Sequence, residues 1–160
     1  MPPRGLALVT VPQTNEAFAS WVDRRARVNR CPSTEVADLM GLRLRGVYAD
    51  ARPPVLGVRC DEAVRQTVYA ATGVPGGTVD RMHLPVFEGG SLSVAALSAG
   101  EAHWPSARRE WVEVYGSRAC PCCLLASGGV WQLWWKLSCA AVRPEHQVTL
   151  RMRGCGTGPR

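Results

Sequence analysis

Lysine is all but missing from this chain. Of its 19 basic residues only Lys136 is a lysine, and the rest are arginine. Such a bias reflects a GC-rich genome before it reflects function. No apolar run approaches the roughly 18–20 residues of a membrane span, which disfavours an integral membrane protein. Met1 to Gly5 carries a basic residue but no apolar stretch followed by a small-residue cleavage site. Secretion is disfavoured on that ground, and a cytoplasmic location is expected. There is no internal repeat and no low-complexity segment. An even set of cysteines is also lacking: there are 7. An odd count without an export signal argues against a disulfide framework.

What is present fits one domain, or one small domain with an appended module, in 160 residues. Apolar residues make up 46% and charged residues 20%, enough for a real core. The net charge of +6 and a pI near 9.2 leave nucleic acid open as a partner without proving it.

Helical periodicity dominates the first half. Thr14 or Asn15 is placed to cap a helix in which Phe18, Trp21, Val22 and Val28 share a face. Cys31-Pro32 stops it, and a short helix through Val36, Leu39 and Met40 runs to Gly41. Asp61 opens a third helix, with Val64, Thr67, Val68 and Ala71 at i, i+3, i+4 and i+7. Gly73 and Pro75 end it, and Thr78 to Met82 can form a further short helix. Helix, Gly-Val-Pro turn, helix is the outline of a helix-turn-helix. The equally open reading is a plain pair of packed helices. His83 and His103 read as ordinary packed or surface histidines. Arg24, Arg25, Arg27 and Arg30 form a basic run able to meet phosphate or an acidic partner, against the plainer reading of a solvated helix face.

Composition shifts near Trp104-Pro105, after which tryptophan and cysteine dominate. Cys120 and Cys123 have C-x-x-C spacing, which lets two thiolates converge on one ion. His146 follows 23 residues after Cys123, and Cys155 comes 9 residues later. Two thiolates, one imidazole and a further cysteine make a tetrahedral Zn²⁺ site. Cys122, between the knuckle cysteines, is expected to point away. The redox reading of C-x-x-C needs a thioredoxin-like context, which the flanking sequence does not offer. The Trp131 to Trp135 stretch reads first as packing over a small module, and second as a base-stacking surface.

Several elements occur in a telling order. Pro12 and Glu16 precede Ser20-Trp21-Val22-Asp23-Arg24, and Leu39-Met40-Gly41 follows. Then come Ala71-Thr72-Gly73-Val74, Arg118-Ala119-Cys120-Pro121-x-Cys123-Leu124, the Trp-rich stretch and Pro144-x-His146. The chain thereby resembles the TniQ family, transposition accessory proteins related to the TnsD target selectors, over roughly residues 8 to 156. The resemblance implies a mainly α fold: a helical, helix-turn-helix-containing part (residues 1–103) and a small zinc-finger-like α+β module (residues 104–160), together one TniQ-like domain. It implies a non-enzymatic adaptor that joins target recognition to a transposon AAA+ ATPase and transposase. Its partners would be that ATPase, target-selection factors and DNA within the complex.

Two departures stand out. The family's second knuckle reads Cys-x-x-His, and here its cysteine position is Arg143. The family's later Cys-x-x-Cys is reduced to Cys155, with Gly158 three residues on. A truncated or decayed copy is one open reading of these departures, as is a site that has lost its Zn²⁺ or fills the vacancy with water. Cys120, Cys123 and His146 are thus the expected zinc ligands, with Cys139 as the fourth and Cys155 as its alternative. A guanidinium does not coordinate zinc. Two other classes remain compatible with the residues: a stand-alone helix-turn-helix DNA-binding regulator, and a thiol enzyme built on Cys120 and Cys123.

Overall fold

A computed structural model describes residues 8–42, 60, 62–89 and 117–152. The protein is mainly helical, with a small Cys/His module of zinc-finger-like form at its C-terminal side.

Helix α1 spans Phe18–Asn29. Its N-cap is Ala17, not Thr14 or Asn15, and no side chain caps it. The Ala17 amide instead donates to the Trp131 carbonyl at 2.9 Å, a partner 114 residues away that local sequence does not reveal. Arg30, in the left-handed region at φ 55°, ends the helix one residue before Cys31-Pro32. The buried face holds Phe18, Trp21, Val22, Arg25 and Ala26, while Val28 is exposed. Helix α2 (Ser33–Leu39) follows Pro32 and ends at Gly41, whose φ of 73° suits a residue without a side chain. A Cβ there would also stand 3.1 Å from the Thr67 side chain, so Gly41 sets how closely α2 approaches the next helix.

Helix α3 (Glu62–Thr72) ends at Gly73, φ 71°. Pro75 then caps α4 (Gly76–Asp80), which begins two residues earlier than the expected Thr78. Val68, Ala71 and Val79 are buried with Val64 packed beside them, whereas Thr67 is exposed. Thr72 explains the tight turn: its hydroxyl donates to the Val68 carbonyl at 2.6 Å and accepts from the Val74 amide. One core therefore gathers Phe18, Trp21, Val36, Met40, Val68, Val79 and Met82. Each large apolar side chain buried there contributes about 1.5–3 kcal/mol.

A 3-10 turn at Leu84–Phe87 leads out of the helical part. The boundary expected at 103/104, and His103, lie outside the described residues. In the Cys/His module, strand β1 (Arg118–Ala119) precedes helix α5 (Pro121–Ala126). A 3-10 turn at Leu133–Lys136 follows, then β2 (Val142–Arg143), β3 (Val148–Thr149) and β4 (Arg151–Met152). β2 and β3 form an antiparallel hairpin, and β1 pairs antiparallel with β4. A second core joins Ala119, Leu133, Trp135, Leu137 and Leu150 to Ala17 and Leu84 from the helical part.

Candidate metal centre

The first knuckle is built where a strand turns into a helix. Cys120 follows β1 and caps α5, its sulfur accepting from the Cys123 amide at 3.5 Å. Pro121 takes the first helical position, where a missing N–H costs nothing. The second knuckle is the turn of the β2–β3 hairpin: Pro144–His146 forms one 3-10 turn and Gln147, φ 50°, reverses the chain. Pairing of β1 with β4 folds this hairpin back over the first knuckle. Arg118 holds the connection in place, donating to the carbonyls of Ser138 at 2.7 Å and Ala140 at 3.0 Å.

His146 thus reaches both knuckle thiols. Its Nδ1 lies 3.2 Å from Cys120 Sγ and 3.3 Å from Cys123 Sγ. Cys122 departs from expectation. It does not point away: one ligand atom each from Cys120, Cys122 and His146 lie within 4.8 Å of one another. The three can hold a metal ion. The reason lies in helix geometry, because Cα–Cβ bonds lean towards the helix N-terminus and gather first-turn side chains around that end. Cys120 is buried, while Cys122 and His146 are exposed. Cys139 is also exposed and is not one of the three. Cys155 lies outside the described residues.

The thiols differ electrically. Burial pushes Cys120 up, but the Cys123 amide, the His146 ring, the Cys123 thiol and the Cys122 amide outweigh it and bring it down to about 7. Burial and the adjacent Cys120 push the Cys123 thiol up, and Arg143 opposes them. The Arg143 guanidinium therefore faces the Cys123 sulfur. Its other contacts are Glu145, with Nε 3.2 Å from a carboxylate oxygen, and the Trp134 ring at 5.4 Å. Thiolates and an imidazole at a closed knuckle suit a soft-to-borderline, four-coordinate ion.

The arginine run divides. Arg25 is fully buried and stands over the Trp21 ring at 5.1 Å, so it does not belong to a surface patch. Arg24 makes a two-pronged contact with buried Glu16, both bonds at 2.8 Å. Arg27 and Arg30 are exposed. Glu16 also accepts from Ser20 Oγ at 3.0 Å and from the Gln13 amide at 2.9 Å. Ser20 Oγ in turn accepts from the Trp131 amide at 3.0 Å, and Asn15 accepts from the Leu133 amide at 2.8 Å. The Ser-Trp-x-x-Arg element is therefore a clamp between α1 and the Trp-rich stretch. Trp135 is buried and meets Trp131 and Trp134 edge-on at 5.7 and 6.0 Å, the packing arrangement.

Among the described residues no helix is long and apolar enough to cross a membrane. No curated protein sequence matches the chain. The TniQ family model matches residues 7–150. That span takes in the clamp, the α3–α4 pair, both knuckles and the tryptophans between them, and the chain belongs to the TniQ family.

Proposed function

We propose that this protein is a non-enzymatic adaptor of bacterial DNA transposition, joining target recognition to the transposon AAA+ ATPase and transposase. TniQ proteins are accessory factors of transposition, and the match over residues 7–150 is the observation that carries the reading. The clamp supports it. Glu16, Ser20 and Arg24 tie the helical part to the Cys/His module, so the two present one surface of fixed geometry to larger partners. On the donor chemistry the ion is Zn²⁺, in a structural role. Cys120, Cys123 and His146 would hold it, with the fourth position taken up below. Arg27 and Arg30 are the members of the basic run left for phosphate or an acidic partner.

The test is co-purification with a transposon AAA+ ATPase, with and without duplex DNA. Association with the ATPase and only weak, strongly salt-dependent DNA binding by the isolated protein are expected. Tight, sequence-specific duplex binding without the ATPase would favour a stand-alone helix-turn-helix regulator. The α3–α4 pair gives that alternative little to work with. At five residues α4 is about 7.5 Å long, short for a helix that must lie along a major groove.

A further inference from the structure

We propose that Cys122 is the fourth ligand of a Cys₃His metal site with Cys120, Cys123 and His146, taking over the place that Arg143 cannot fill. The assignment goes beyond the transposition role and does not depend on it. Its basis is convergence. The imidazole Nδ1 touches both knuckle sulfurs, at 3.2 and 3.3 Å. The Cys122 ligand atom lies within 4.8 Å of those of Cys120 and His146. Ligand atoms around one zinc ion stand roughly 3.3–4 Å apart, so the Cys122 thiol must move closer to Cys120 and His146, and join Cys123, to close the shell. Cys122 is exposed, so no packing resists that movement.

Charge supports the same set. A divalent ion bound by three thiolates and a neutral imidazole carries one net negative charge. The Arg143 guanidinium, facing the Cys123 thiol, neutralises it. With two thiolates, the imidazole and a water the site would be neutral, and the guanidinium would have no negative charge to balance. The substitution that removes a ligand from the second knuckle is thus matched by a third sulfur in the first. On binding, the thiol protons leave to solvent, and no redox change is involved.

Cobalt(II) titration of the reduced, metal-free full chain tests this, with competition by zinc to measure affinity. One equivalent should bind with the visible spectrum of tetrahedral cobalt and a sulfur-to-metal charge-transfer band. C122S should lose one thiolate's share of that band. Its zinc affinity should fall by at least what a lost second-shell partner costs, roughly 10–100-fold. The double variant C122S/R143C should regain both, because it returns a sulfur from the opposite knuckle. C139S should behave as the parent protein. A C122S spectrum and affinity equal to the parent's would overturn the proposal. So would loss of the band in C139S instead, or failure of the parent protein to bind either metal.

Discussion

Around α1 the chain fully buries Phe18, Trp21, Val36, Met40, Val68 and Val79. In the Cys/His module, by contrast, α5 buries no residue, and every strand is two residues long. The helical part is held by apolar area removed from water. The module has too little of that. Its buried residues come largely from the connection between the knuckles, and part of its core is borrowed from Ala17 and Leu84. With a metal bound as proposed, order in the module would rest on two ties: the ligand cluster at one end and the α1 clamp at the other. Removing either should hurt the module more than the helices.

The largest effect should come from the metal. Structural zinc in small modules is worth about 10 kcal/mol or more of apparent binding free energy. Chelation, or C120S, should unfold the module while leaving most of α1 to α3 intact. The expected record is a change in tryptophan fluorescence, from Trp131, Trp134 and Trp135, with the helical circular dichroism largely kept. Equal loss of both signals on chelation would show that the two regions do not differ in this way. Next comes the helical core itself. W21A removes a fully buried ring whose Nε1–H donates to the Thr10 carbonyl at 2.8 Å. A cost of about 3–5 kcal/mol in urea unfolding is expected, with cobalt binding by the module retained.

The clamp is the third point of attack. E16Q keeps the shape of the side chain but discharges the group that Arg24, Ser20 and the Gln13 amide all address. Breaking one side of such a buried pair costs about 3 kcal/mol. A more specific readout is the number of transitions. With the tie weakened, the helical and module signals should melt apart, whereas in the parent protein they should melt together. Coincident melting in E16Q would show that the shared core alone couples the two parts.

These contrasts mark what the sequence reveals. Apolar spacing located the first three helices, Gly73 marked its turn, and C-x-x-C with a distant histidine pointed to the right end of the molecule. Each of those signals is local, or is a family motif. The misses have different causes. Arg24 looked like a surface cation because nothing nearby shows that Glu16 is buried under the Trp-rich stretch. Arg25 sits on the apolar face that Trp21, Val22 and Ala26 define, and a count of charges hides that position. Cys122 is hidden by the C-x-x-C pattern, which draws attention to its first and last residues. A helix beginning at Pro121 puts residues 122 and 123 in the same first turn, and Pro at the first helical position was the available signal.

The smallest effect concerns His83, where the two cores meet. Its ring packs against Phe18 at 4.8 Å, and its Nδ1–H donates to the Val79 carbonyl at 2.7 Å. Burial pulls its pKa below the ordinary 6.5 and Arg65 adds to the shift, while the Val79 bond and Asp80 oppose it. The unfolded chain therefore takes up this proton at higher pH than the folded one. Below 6.5 the unfolded state binds more protons, so stability is full above that pH and is lost as pH falls towards the lowered folded value. One proton limits the slope to about 1.4 kcal/mol per pH unit. H83Q keeps a donor for Val79 but does not titrate. Its stability deficit relative to the parent protein should shrink between about pH 7.5 and about pH 5.5. Protonation of the metal ligands affects both proteins alike and cancels in the difference. A deficit that stays constant with pH would mean that His83 holds its place by packing alone, and that the acid sensitivity of the fold lies in the module.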